Sequence, residues 1–385
     1  MKGKKGGCSR RERLELTAVA LVPAALGLLR PMIMLGGRLS WLVPVLALPF
    51  GVCLCRVWGR LGEADLRSGL EGAFGVFLGK LSVLAYLLWG LVLLADSARR
   101  YSDRLLVVFE GESVRWLFLL SALGVTLWLG RREGGAFART GRIFFLAVGL
   151  TLCGILLLTL RGLDWKNLVP PEGEEWKGLP GAGALCLSLA GYGIYTLCLP
   201  RRREESLWKT WPWAVSGCVV LSVLLLIVVG VFGPALAGGM RDPFLYLLEG
   251  VQVPGAFRRG EAGLVAILSL ADLVLLTLLG GGCMTLWGEL LPLIPVLGCV
   301  PVAGAFLLAG LLPTLGAAWG RWESILPTGN LVLGILLPAL AVLTRGVRER
   351  KEDGAIFCVR KTGKSADVAV KGEDKKSGEE NEKKC

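Results

Sequence analysis

The chain has 385 residues, 54% of them hydrophobic, and a mean hydropathy of +0.61, which excludes an ordinary soluble domain and marks an integral membrane protein. Histidine is absent, so the commonest general base, proton shuttle and metal ligand is missing. The formal charge of +12 is scattered among loops between apolar runs, which argues for membrane topology and against a nucleic-acid partner.

Residues 1–13 hold six Lys or Arg ahead of the first apolar run and read as a basic cytoplasmic tail. Ten apolar spans follow, each near the roughly 20 residues that a bilayer requires. They cover Leu14–Met34, Trp41–Val57, Gly72–Ala95, Val114–Gly130 and Ile143–Leu160, then Gly181–Leu199, Ala214–Leu236, Ala262–Gly282, Leu291–Ala318 and Ile325–Thr344. Together, 14–344 form one ten-helix transmembrane domain of an all-α polytopic protein. An even number of spans returns the C-terminus to the cytoplasm. The basic residues after spans two, four and six agree with that orientation, among them Arg60, Arg131 and Arg202. Tryptophans near span ends, such as Trp41, Trp58 and Trp116, read as interfacial anchors. Lys80 and Asp96, near the two ends of span three, read as snorkelling charges. Residues 345–385 carry 12 Lys or Arg against 9 Asp or Glu with little apolar periodicity, and are predicted to be a charged, largely disordered cytoplasmic tail.

Two spans are unusually rich in helix-weakening residues. Span one contains Pro23 and Gly27 and is closed by Arg30 and Pro31; span six, within LPGAGALCLSLAGYGIYTLCLP, contains Gly191, Tyr192 and Gly193 in its second half. Each interior glycine costs a helix about 1 kcal/mol relative to alanine, and an opened backbone at membrane depth is tolerated where protein covers it or a cavity meets it. Broken segments at corresponding places in two halves point to a substrate site between inverted repeats, here spans one to five and six to ten. Tyr192 and Tyr195 are candidate lining residues. Asp272, mid-way along span eight, is the third candidate wall. A carboxylate there costs at least about 2.5 kcal/mol on insertion scales and is retained for ion coupling, ligand contact or a buried partner. No nucleophile–base set, phosphate loop or metal-ligand spacing occurs, so no catalytic residue, metal or cofactor is assigned.

Four stretches in order, GGRLSWLVPVLALPFGV, LGKLSVLAYLLWGLVLLADSARRYSDRL, GRREGGAFARTGRIFF and RRGEAGLVAILSLADLVLL, resemble the endospore germination permeases. These are the B subunits of GerA-type germinant receptors, relatives of the amino acid/polyamine/organocation transporters. The resemblance covers about residues 10–345. It implies a LeuT-like 5+5 fold with helices 1 and 6 broken and a pocket for a small, amino acid-like germinant between them. Its implied role is a receptor subunit that signals to partners; the alternative is a secondary amino acid transporter coupled to H⁺ or Na⁺. The implied partners are a larger membrane subunit and a lipoprotein, in the inner membrane of a spore-forming bacterium. Where many relatives have an acidic residue in span six, this chain has Gly193, which shifts recognition toward shape and hydrogen bonding.

Overall fold

The computed structural model describes residues 9–61, 66–108, 112–131, 134–169, 175–199, 211–250, 260–292, 294–315 and 317–346. Most of both predicted tails, the basic cluster Arg201 to Arg203 and Lys209 lie outside the described residues. The described residues form helices joined by short turns, with no strand among them. Seven helical stretches among them are long and apolar enough to cross a membrane; one of these, Arg11–Leu61, holds spans one and two, and the shorter apolar helices Val114–Gly130 and Cys299–Thr314 complete the predicted ten.

Span one starts earlier than hydropathy indicates, at Arg10, because Ser9 caps it. The Ser9 hydroxyl accepts from the Glu12 N–H, and the Ser9 N–H donates to the Glu12 carboxylate at 2.8 Å, so two otherwise orphaned donors are satisfied. The helix then continues to Gly36, across both Pro23 and Pro31. Each proline withholds one N–H, from the carbonyls of Val19 and Gly27, so the interruption in span one lies in its hydrogen-bond ladder and not in an unwound segment. Burial of Leu16, Val19, Ala20, Leu29, Met32 and Ile33 holds the helix in place.

Gly37, at φ 54°, turns the chain through a short 3-10 segment into span two, Val43–Leu61. A short helix, Leu66–Phe74, and Gly75 at φ 87° lead into span three, Val76–Val108. At 1.5 Å per residue span three is about 50 Å long, well beyond the hydrocarbon thickness. Spans four and five are Glu112–Gly130 and Gly134–Thr159.

Span six is broken. Its first part, Leu179–Ser188, ends at Leu189; a single turn, Ala190–Gly193, and a 3-10 stretch, Ile194–Cys198, follow. Span seven, Trp211–Phe232, is linked by two short helices, Pro234–Gly239 and Pro243–Gly250, to span eight, Gly260–Leu290. The predicted start of span nine is corrected: Pro292 and Pro295 keep the approach out of the α-helix, which runs only from Cys299 to Leu311. Span ten comprises an α-helix over Ala317–Leu331, a π-helical segment over Val332–Leu336, and a final α-helical stretch over 337–346.

Spans three and eight form the middle of the bundle. Three glycines in span eight let three neighbours come close: Gly280 lies against Thr126, Gly281 against the Gly130 backbone, and Gly282 against the Tyr195 ring. Close backbone approach through small residues is how membrane helices gain packing where no hydrophobic drive separates them from lipid.

Candidate functional site

Asp96, Arg99, Arg100, Asp103 and Arg104 recur at three- and four-residue intervals on span three, which places them along one helical face. This face turns inward. Asp96 is 0% exposed, so it is a buried ion-pair partner and not the snorkelling charge expected at a span end. Its carboxylate lies 2.8 Å from Arg100 Nε and 3.4 Å from Arg99 Nη2. Arg99 also reaches Asp103 at 3.1 Å, and Asp103 is approached by Arg115 of span four at 2.8 Å and by Arg241 at 3.1 Å.

Arg104 carries the link to the other spans. Its Nη1 donates to both oxygens of Asp272 at 2.7 Å, its Nη2 donates to the Pro23 carbonyl at 3.2 Å, and its Nε is 4.0 Å from Asp242. Asp272 is 3% exposed and Arg104 7%. Of the roles open to Asp272, the structure supplies the buried partner. Beside this junction the guanidinium of Arg100 packs on Gly27, where any Cβ would run into it. Pro23, Gly27 and Asp272 are therefore brought together by two arginines that hydropathy does not single out. The signal for them lies in SARRYSDRL, whose charges repeat at helical spacing beyond the predicted end of span three at Ala95.

The other predicted residues gather nearer the opposite end of span three. Trp89 and Asp96 are seven residues apart, about 10 Å along the helix. Tyr192 and Tyr195 are buried, and the Tyr195 hydroxyl donates to the Tyr86 carbonyl at 2.7 Å. The Tyr86 hydroxyl donates to the Leu333 carbonyl at 2.7 Å and Trp58 Nε1 to the Gly334 carbonyl at 3.0 Å. Trp89 Nε1 donates to Asn330 Oδ1 at 2.9 Å, and Asn330 in turn lies against Gly191. Trp58 is thus half-buried, with its indole N–H turned inward to span ten. Its ring also explains Gly193: a Cβ there would sit 2.8 Å from the edge of the indole, so no acidic side chain fits.

At the start of span one, a lighter polar cluster closes it on spans five and six. Glu15 is paired with Arg11 at 2.9 Å and approached by Arg142 at 3.7 Å, while Arg13 donates to the Leu199 carbonyl at the end of span six at 3.3 Å. Leu16 fills the space over Gly141. Span one is thus tied near its start to spans five and six, and near its middle to spans three and eight.

A family model described as spore germination protein matches residues 18–314. The chain belongs to that family. A search of curated proteins found no match. Among solved structures, a mutant form of the manganese transporter of Eremococcus coleocola is similar with a TM-score of 0.54 at 13% identity, over 86% of this chain and 76% of that one. The same transporter in complex with an aromatic bis-isothiourea substituted compound gives 0.52 at 14%, over 88% and 78%. MhsT in complex with L-phenylalanine gives 0.52 at 14%, over 89% of this chain and 99% of that one. At such identities the likeness concerns fold alone, and the fold is the expected LeuT-like arrangement of ten spans in two sets of five. The family is that of spore germination proteins, and the apolar helices and the transporter-like fold make this an integral multi-pass membrane protein.

Proposed function

We propose that the protein is a germinant receptor subunit that binds a small, amino acid-like molecule in a transporter-type pocket bordered by spans one, three, six and eight. The observation that carries this reading is the buried junction of Arg104, Asp272 and the Pro23 carbonyl, which joins three of those spans at one point. Pro23, Gly27, Gly191, Tyr192, Gly193, Tyr195 and Asp272 border the proposed pocket, and Arg100 and Arg104 join them. Because span one keeps its helical course, the donors offered beside it are guanidinium N–H groups and not the free N–H groups of a half-helix. Such groups form charge-assisted, often bidentate hydrogen bonds with carboxylates. A ligand carboxylate that competes with Asp272 for Arg104 would loosen span eight from spans one and three. Binding then favours one packing of the two halves over the other, to the extent that the ligand prefers it. The change passes to a larger membrane subunit and a lipoprotein in the inner membrane of the spore, with both termini of this chain cytoplasmic.

The experiment is a germinant dose–response in spores carrying Asp272→Ala or Arg104→Lys, with receptor levels checked by immunoblot. The expected outcome is a response displaced by more than about tenfold in dose, or lost, beyond what any fall in receptor abundance accounts for, since about 1.4 kcal/mol of lost binding is tenfold. Wild-type responses from both variants would overturn the assignment. A second reading, a secondary amino acid transporter, is favoured by the transporter fold itself. Concentrative uptake of a labelled amino acid by proteoliposomes containing this chain alone would establish it.

A further inference from the structure

The π-helical segment of span ten, Val332–Leu336, lies directly on the break in span six. A π-turn places one extra residue in the helix and disturbs the regular pairing of its carbonyls, and such segments recur at functional sites. Here two of those carbonyls are held from outside. Leu333 accepts from the Tyr86 hydroxyl at 2.7 Å and Gly334 from Trp58 Nε1 at 3.0 Å, so the donors come from spans three and two and belong to neither of the elements they lock.

The two elements also interlock backbone to backbone. A Cβ at Gly334 would stand 2.6 Å from the Gly191 nitrogen and 2.7 Å from the Ala190 carbonyl carbon, and a Cβ at Gly191 would enter Asn330, just before the π segment. Each bare glycine is seated on the other span, so span six cannot shift at its break while span ten keeps its register. We infer that Val332–Leu336 is a hinge, held in its π register by Tyr86 and Trp58, that couples movement at the span-six break to the last stretch of span ten, residues 337–346. Reversion of the π segment to α removes one residue from the register, which rotates that last stretch by about 100° and shifts it by about 1.5 Å relative to Ala317–Leu331. The two registers are discrete, as a switching element requires. The inference stands on these contacts alone and does not depend on what the protein binds.

Hydrogen exchange of the purified full-length chain in lipid nanodiscs tests it, with wild type compared to Tyr86→Phe, Tyr86→Phe/Trp58→Phe and Gly334→Ala. Tyr86→Phe removes one oxygen and no volume. Each lost hydrogen bond, worth about 1 kcal/mol, is expected to raise exchange about fivefold. The rise should appear together in 189–194 and 332–340, with span five and span seven unchanged. Gly334→Ala, which removes no donor, should raise exchange in the same two segments by pressing them apart. The inference is overturned if only one segment responds, if neither does, or if all spans rise alike, because that last pattern marks general destabilisation.

Discussion

Spans one and six both carry helix-weakening residues deep in the bundle, proline and glycine in span one and glycine in span six, and their neighbours treat them in opposite ways. Span one stays helical, and the stretch around Pro23 and Gly27 is covered by two guanidiniums that are themselves held by carboxylates. Span six breaks at Leu189 and is covered by neutral groups, an indole, an asparagine and the backbone of span ten. Proline removes a donor yet keeps a helical φ, so a buried helix survives it when surrounding groups satisfy what is freed. Paired glycines act differently, because they lower the cost of leaving the helix and admit a neighbouring backbone. The consequence is a division of labour: the charged cover at span one can exchange partners with a charged ligand, whereas the neutral cover at span six fixes geometry.

The sharpest way to break this contrast is to remove Arg104. Arg104→Ala leaves Asp272 buried and unpaired, and the loss of one partner of a buried ion pair costs about 3–5 kcal/mol. Thermal unfolding in detergent should show the single variant strongly destabilised, with Asp272→Ala on the same chain restoring most of the loss. Equal midpoints for the single and double variants would mean that the pair is not a unit.

Next in size is the contrast between the glycines. Gly191→Leu drives a side chain into Asn330 and adjoins the span-ten backbone, an overpacking worth about 1–3 kcal/mol. Gly27→Ala meets only the guanidinium end of Arg100, a flexible group that can swing aside. Its midpoint should fall by less than that of Gly191→Leu, while the germinant response shifts because Arg100 is displaced. A Gly27→Ala chain as unstable as Gly191→Leu would erase the distinction between an exchangeable and a rigid cover.

The helical spans, their number and the break in span six are legible in hydropathy and glycine placement, since both reflect local cost. The arginines of span three are not. Asp96, Arg99, Arg100, Asp103 and Arg104 lower the hydropathy of that stretch, so a hydropathy window ends the span at Ala95, although the helix continues to Val108 with its charges paired to other segments of the bundle. Pairing between distant segments leaves no trace in a local average. Trp58 shows the same limit: its place near a span end suggests an interfacial anchor, and its hydrogen bond to the π segment of span ten adds a contact that the chain alone does not reveal. A π-helix has no composition signature, so neither it nor Asn330 can be placed from the chain alone.

The smallest effect belongs to the rim of the charged cluster and limits how far its importance extends. Arg241 reaches Asp103 at 3.1 Å with 78% of its side chain exposed, and exposed pairs contribute about 0–1 kcal/mol. Asp103 keeps Arg99 and Arg115, both largely buried, when Arg241 is removed. Arg241→Ala should therefore leave the unfolding midpoint nearly unchanged, and raising the salt concentration should abolish whatever difference remains, since screening acts on exposed charges far more than on buried ones. A large, salt-insensitive loss would place Arg241 inside the sealed network with Arg104, and the seal would then extend to the surface.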